Sequence, residues 1–334
     1  MNAAAPKVAT PELWLAPLRG VTIRAFRETF AAAIGDAGFV GAFAPFIPAN
    51  PGIRVNGRLF ADLEPLPSAN GGQNGAKPPL PVIPQVITKH PDAMREFLKG
   101  LKDRGFRRAD LNAGCPFPMI VRRGRGSGLI RARDMLERLI DVGCEEMGPG
   151  RFSVKTRLGL ERTDELLELM PVFNRYPLAA LTVHARTSKQ MYSGDCSMEA
   201  FAAVCSDSAN PVIYNGDAQI LVNPINGLKG NNGFSGGVGF SNNGFNGLTA
   251  LKGLKGLMVG RGFVRSLGER GDSPELLRKY IARSQSELSG DRPVLGRMKE
   301  LLAYWAEGSP RWRRLWPMVK ICRTVDELLS LIPS

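Results

Sequence analysis

The stretch Asp110-Leu-Asn-Ala-Gly-Cys-Pro-Phe-Pro118 holds the residue best suited to proton or covalent chemistry, Cys115. A short apolar approach ends at Asn112. Gly114 then permits a tight turn, and Pro116 fixes φ and stiffens the exit. A reactive side chain is best held where a rigid strand stops and a loop begins. A cysteine met at random is a small buried hydrophobe. Here Asn112, the tight turn and the arginines of the glycine loop Arg122-Arg-Gly-Arg-Gly-Ser-Gly128 favour a working thiol, because nearby positive charge tunes thiol acidity.

Further polar residues recur where apolar runs end: Pro17, Gln85, Lys155, His184, Asn215-Gly216-Asp217 and Gly260-Arg261. Lys155 follows the apolar Val154, so it needs an anionic partner. His184, one of two histidines, ends a core-like run beside Arg186 and Thr187, which leaves a structural and a ligand-binding role both open. His90, between Lys89 and Pro91, reads as a surface loop residue. Asn215-Gly216-Asp217 and Gly260-Arg261 can offer backbone N–H groups to a phosphate. With 38 glycines in the chain, each glycine pair alone says little.

The elements that must position these residues alternate. Leu13-Trp-Leu-Ala-Pro-Leu18 reads as a buried strand ending at Pro17. Thr22 is a candidate cap for a helix over 24–33, with Phe26 and Phe30 on one face. Residues 38–44 form a second strand candidate. Val82-Ile-Pro-Gln-Val86 is strand-like, with its pairing interrupted at Pro84. A helix starts at Pro91, where the missing N–H does no harm, and runs to Asp103. Strands end at Asn112, Thr156, His184, Asn215 and Gly260, with helices over 134–142, 163–173 and 198–204 between them. About eight β units alternating with helices argue for a parallel sheet closed into a (β/α)8 TIM barrel, with an open doubly wound sheet as the alternative.

Two regions break the rhythm. Residues 64–81 are rich in Pro, Gly, Ser and Asn and read as a loop. Residues 226–247 are dominated by Gly and Asn where the seventh helix belongs, so a long loop or disordered insert is expected. From Pro274 the pattern is purely helical, with one apolar stripe at Leu276, Leu277, Tyr280 and Ile281 and another at Leu301, Leu302 and Trp305. A final helix covers 325–331. The organisation is thus a barrel over 1–270 and a helical domain over 271–334. The latter carries Arg311-Trp-Arg-Arg-Leu-Trp316, with Lys320 and Arg323 beyond. Arg311, Arg313 and Arg314 can contact phosphates while the tryptophans stack on bases. Equally, Trp312 and Trp316 can belong to a helical core.

Composition sets the outer bounds. The 334 residues are 43% hydrophobic with a net charge of +13, a balance that points to a polyanionic partner, nucleic acid first. Five cysteines without a Cys-x-x-Cys pair argue against a disulfide framework or a zinc site and for a reducing compartment, the cytoplasm. No apolar run is long enough to span a bilayer, and Met1-Asn-Ala-Ala-Ala-Pro6 does not read as a secretion signal.

The chain resembles the tRNA-dihydrouridine synthases from about Leu15 to Arg323. The resemblance rests on Leu15-Ala-Pro-Leu, Asp110-Leu-Asn-Ala-Gly-Cys-Pro, Val154-Lys-Thr-Arg-Leu-Gly, Val183-His-Ala-Arg-Thr-Ser-Lys-Gln-Met-Tyr-Ser-Gly194, Pro211-Val-Ile-Tyr-Asn-Gly-Asp217 and Leu257-Met-Val-Gly-Arg-Gly262, in the family's order. It implies an FMN-binding barrel, NADPH as reductant, tRNA as substrate and a C-terminal helical tRNA-binding domain; a monomer without metal is expected beside it. Pro17, Gln85, Lys155 and His184 would line the isoalloxazine ring and ribityl chain. Asn215, Gly216, Asp217, Gly260 and Arg261 would hold the phosphate region. Cys115 would be the general acid that protonates uracil C5. Asn112 would help place the base, and Arg122, Arg123, Arg125, Arg186, Arg311, Arg313 and Arg314 would contact the RNA. The chain departs from the family in having Met119 where lysine is common. The other readings kept open are an FMN barrel oxidoreductase acting on a free pyrimidine, of the dihydroorotate or dihydropyrimidine type, and a non-catalytic RNA-binding barrel.

Overall fold

The structure, a computed structural model, describes residues 11–63, 80–217, 220–221, 239–240 and 251–333. The N-terminal reading on residues 1–6 lies outside them. So do most of the loop at 64–81 and the insert at 226–247, apart from a short antiparallel pairing of Ile220–Leu221 with Gly239–Phe240.

Eight strand positions form the barrel. They are β1 (Glu12–Leu15), β2 (Gly41–Phe43), a third strand split into β3 (Val82–Ile83) and β4 (Gln85–Ile87), β5 (Ala109–Ala113), β6 (Phe152–Gly159), β7 (Ala180–Thr187), β8 (Val212–Asn215) and β9 (Leu254–Val259). All neighbouring pairs are parallel. Closure depends on Pro84. The proline has no N–H, so the third strand changes partner there: β3 pairs with β2, and β4 pairs with β5. The Pro84 carbonyl still accepts from Asp110 N at 2.9 Å. The expected interruption is therefore the hinge at which the sheet meets itself.

Side chains alternate across each strand. Outward residues such as Leu111, Val154, Val183 and Val259 join the helices in one large core. Inward, Trp14, Phe43, Ile83, Ala180, Ile213 and Met258 fill a smaller plug. Further along the same inward rows the residues turn polar: Asn112 on β5, Lys155 and Arg157 on β6, His184 on β7, Asn215 on β8. The sequence's polar strand ends thus converge on one barrel mouth.

Several boundaries differ from expectation. The first helical stretch is two short helices, Arg24–Thr29 and Ala31–Asp36, divided at Phe30. Thr22 caps neither. Its hydroxyl donates to the Ala16 carbonyl at 2.9 Å and accepts from Leu18 N at 2.8 Å, pinning the turn after β1. The basic glycine loop is a short helix, Pro118–Arg122, followed by a 3-10 helix, Gly126–Arg131. Helices Arg133–Met147 and Met198–Asp207 run longer than their apolar patterns, and Glu165–Phe173 starts later and contains Pro171.

After helix Arg261–Leu267 come four C-terminal helices: Ser273–Glu287, Asp291–Gly308, Pro310–Ile321 and Val325–Leu331. An aromatic cluster joins them to the barrel's first helix. Phe26 and Phe30 lie 4.6 Å apart, Tyr280 meets Phe30 at 5.7 Å, and Trp305 sits 6.1 Å from Phe30 and 5.1 Å from Trp312. Trp312 is thus core, as one of the two readings held. Its indole N–H donates to Ser273 Oγ at 3.3 Å, and Trp316 is partly buried against the same core. Trp305 is fully buried and its indole N–H is unpartnered, so its contribution is packing alone. Trp305→Ala is expected to cost about 3–5 kcal/mol, read as a lower urea midpoint.

Candidate active site

A cavity of about 670 Å3 opens at the C-terminal end of the barrel. Its barrel side is formed by Pro17, Asn112, Cys115, Lys155, His184 and Asn215, with Gly216, Gly260 and Arg261 at the last two strand ends. Most of the sequence-derived set is therefore brought to one place. Gln85 and Asp217 belong to the set but do not touch the cavity. Gln85 is buried below it, and Asp217 lies to the side, paired with Arg186 and with Arg261 at 3.2 Å.

Cys115 is 7% exposed, hidden from bulk water yet facing the cavity. The turn that holds it is determined by backbone and amide groups. Asn112 Oδ1 accepts from Cys115 N at 2.9 Å and from Gly114 N at 3.2 Å. Asn112 thus serves the turn first, with its Nδ2 already donating to Gln85 Oε1 at 2.8 Å. Gly114 is required for close approach, since a Cβ there would lie 3.2 Å from the Thr156 backbone. Gly126 is required twice over: its φ is +57°, and a Cβ would lie 2.7 Å from the Cys115 carbonyl oxygen.

The expected thiol acidity is reversed. Burial raises the Cys115 thiol above its ordinary 9.0, outweighing the Phe117 N–H and the charges of Arg157, Arg19 and Lys155. The downstream arginines are not among the leading influences on it. Arg122 and Arg123 are exposed and do not line the cavity, and Arg125 donates to Asn50 Oδ1 at 2.9 Å. A thiol so placed keeps its proton at neutral pH, which suits a proton donor rather than a nucleophile.

Lys155 donates to Asn215 Oδ1 at 2.7 Å. Among the described residues no carboxylate lies within ion-pair distance of its amine. Burial, helped by Arg157, pulls it down to about 7. His184 is held well below 6.5 by burial and then by Arg157 and Lys155, so it is neutral. Below pH 6.5 the unfolded chain binds a proton that folded His184 refuses, so stability is lost on acidification. His184→Gln is expected to flatten the fall of the urea midpoint below pH 6.5 relative to the parent protein.

The remaining RNA-contact candidates are elsewhere. Arg186 is buried, donating to the Gly194 carbonyl and to Asp217. Arg311, Arg313 and Arg314 are exposed on the Pro310–Ile321 helix, away from the cavity lining. Arg313 is partly engaged, donating to the Ala306 and Glu307 carbonyls. His90 is half-buried, precedes the helix Pro91–Asp103, and lines a separate cavity of about 370 Å3.

Sequence reasoning missed half of the mouth. Arg157 donates from Nε to the Gly114 carbonyl at 2.9 Å and from Nη1 to the Thr187 and Met191 carbonyls at 2.8 and 2.6 Å. It thereby ties the Cys115 turn to the loop that carries Tyr192. Two guanidinium groups lie over the Tyr192 ring, Arg157 at 5.3 Å and Arg261 at 4.9 Å from its centroid. Arg157 was findable, because it lies two residues beyond Lys155 on the same inward row. Glu300, Tyr304 and Glu307 close the mouth from the Asp291–Gly308 helix, where no local signal distinguishes them from a solvated face.

The family profile described as "Dihydrouridine synthase (Dus)" matches residues 14–229, which include the Cys115 turn and the strand ends Lys155, His184 and Asn215. The chain belongs to the dihydrouridine synthase family. A "Probable tRNA-dihydrouridine synthase" of Staphylococcus epidermidis is 29% identical over 194 residues, covering 58% of this chain and 56% of that one. A "Probable tRNA-dihydrouridine synthase 2" of Bacillus subtilis is 28% identical over 189 residues, covering 57% and 54%. The match to this dihydrouridine synthase family member thus spans little more than half the length of those relatives. Among solved structures, morphinone reductase is similar with a TM-score of 0.45 at 12% identity, covering 76% of this chain and 83% of that one.

Proposed function

We propose that this protein is an FMN-dependent, NADPH-driven tRNA-dihydrouridine synthase with Cys115 as general acid. The observation that carries the reading is a buried, cavity-facing thiol at the same mouth as Lys155, His184, Asn215 and Arg261, with burial raising its pKa. The donor set suits FMN. Lys155 is a buried amine whose partner is a neutral amide, so the site lacks an anion that a flavin's electron-rich pyrimidine edge would supply. Arg261 stands at the end of the last strand, where barrels of this type bind phosphate. The volume falls within the range of small-molecule sites, about 300–1,000 Å3.

Bound at this mouth and reduced by NADPH, FMN would supply a hydride to uracil C6. The chain's own residues do the rest. Cys115 Sγ–H delivers the proton to C5, so the C5=C6 double bond gains one hydride and one proton. Lys155, His184 and Asn215 would hold the cofactor's ring side. Asn112, through its remaining N–H, and Arg157 face the target base. Pro17 would stand on the flavin side as well, and Gln85, below the cavity, would act through Asn112, whose amide it holds at 2.8 Å. Gly216 and Gly260 would complete the phosphate side with Arg261, which Asp217 braces from the side at 3.2 Å. Residues 271–334 form the tRNA-binding unit, with exposed Arg311 and Arg314 to meet phosphates, and exposed Arg122 and Arg123 offer further basic contacts on the barrel. An RNA substrate and five cysteines without a Cys-x-x-Cys pair support a cytoplasmic reaction.

The purified protein is expected to show a flavin absorption spectrum and to form dihydrouridine in tRNA lacking it, with kcat/KM falling steeply as salt rises. Salt-insensitive turnover on a free pyrimidine would replace this reading. No helix among the described residues is long and apolar enough to cross a membrane, and none of their acidic, His or Cys residues group into a metal site.

A further inference from the structure

Asp110 is fully buried inside the barrel, two residues before Asn112 and one layer below the cavity. Its carboxyl accepts from Gln85 Nε2 at 2.7 Å and from Ser153 Oγ at 2.6 Å. Gln85 Oε1 accepts from Asn112 Nδ2 at 2.8 Å, and Asn112 Oδ1 accepts from the Gly114 and Cys115 N–H groups. Every link runs in one direction. The backbone N–H groups at the top can only donate, so the Asn112 oxygen must face them and its nitrogen must face Gln85. That forces the Gln85 oxygen upward and its nitrogen downward. The column needs an acceptor at its foot, and Asp110 is that acceptor.

We infer that Asp110 is a positioning residue: it terminates a one-way hydrogen-bond column through Gln85 and Asn112 that sets the turn presenting Cys115. A buried acid is costly, and burial indeed raises the Asp110 carboxyl to about 7. A residue kept in so unfavourable a place without touching the cavity is explained by the amides it orients. The column also makes the two amides behave as one unit. Removing the foot frees Gln85 to flip, and a flipped Gln85 presents a donor to the Asn112 donor. Asn112 then loses its fixed orientation, and the Cys115 N–H loses its acceptor.

The inference rests on the proposed role of Cys115 only in its kinetic arm. In the full-length protein as purified, Cys115 alkylation by iodoacetamide is followed by mass spectrometry of its peptide. Asp110→Leu, of similar volume but without an acceptor, is expected to speed alkylation about five-fold, the factor for losing one hydrogen bond. Asp110→Asn keeps a carbonyl for Gln85, with Ser153 Oγ able to accept from its amide, and is expected to stay near the parent rate. Gln85→Met cuts the column at its middle. In that background Asp110→Leu is expected to add nothing, because both changes break one unit. Unchanged alkylation in Asp110→Leu, equal damage by Asp110→Asn, or additive effects of the two cuts would each overturn the column. If Asp110→Leu does not fold, Gln85→Met alone decides, and an unchanged rate there refutes it. Turnover supplies the second arm: kcat is expected to fall with KM for tRNA unchanged. Altered alkylation with unaltered kcat would leave the column standing and remove Cys115 from the chemistry.

Discussion

Cys115→Ala is expected to retain flavin and tRNA while turnover falls by about 10^2–10^4-fold, the usual contribution of a positioned proton donor. Two features of the site make the loss specific. The thiol's own burial holds it above 9.0, so it carries its proton throughout the neutral range. The cavity offers little to replace it: Lys155 is drawn to Asn215 and His184 is neutral with its ring beside Arg186. Removing one small buried side chain from a rim position leaves the Asn112 contacts to the turn untouched, so cofactor affinity and the thermal midpoint should move little. Normal dihydrouridine formation by Cys115→Ala, measured under single-turnover conditions, would remove the acid from Cys115. The same chemistry predicts that Cys115 in the parent protein alkylates slowly until the pH exceeds about 9.

Arg157→Met should lower kcat by about 10^2-fold or more with a modest change in stability. The two outcomes diverge because opposing energies cancel globally but not locally. Arg157 makes three hydrogen bonds to carbonyls, each worth about 1.5–3 kcal/mol for a charged donor. Against this, burial is severe enough to pull even a guanidinium down to about 10. A methionine of similar length removes the guanidinium's burial cost, which offsets part of the penalty of leaving three carbonyls without this donor. The geometry loses much more. The Gly114 carbonyl beside Cys115 and the Thr187 and Met191 carbonyls beside Tyr192 are freed at once, and Met191 already holds a positive φ of 51°. A displacement of about 1 Å at a reacting group is enough for a loss of that size. A large drop in thermal midpoint with kcat per folded molecule unchanged would show Arg157 to be a structural tie only.

Much of this architecture was legible in the linear order of residues. The helix Pro91–Asp103 begins and ends where its proline and its periodicity place it. The strand ends Asn112, Lys155, His184 and Asn215 line one mouth, because inward residues recur every second position and parallel strands all finish on the same side. The break at Pro84 was visible too, although its consequence, closure of the barrel, was not. The errors share a cause. Thr22 reads as a candidate cap for a helix that begins beyond it, and its hydroxyl instead bonds to Ala16, the residue next to the strand end. Arg186 was assigned to RNA, yet it is consumed by Asp217, 31 positions away along the chain. The thiol was expected to be acidified by arginines close in sequence. It is governed instead by the packing of elements far apart in sequence, which removes water from it.

What the order of amino acids determined by itself was therefore everything with a short period or a rigid local geometry: the alternation of strands and helices, the turn at Cys115, the family to which its motifs belong. Tertiary structure alone decided the partners and the signs. It brought Glu300 and Tyr304 to a mouth built from the other end of the chain, made Arg157 a brace between two loops, set Asp110 beneath two amides, and raised a thiol that its neighbours in sequence would have lowered. Backbone periodicity is a property of a few consecutive residues, whereas desolvation and charge pairing sum over whatever the fold brings within a few ångströms, regardless of distance along the chain.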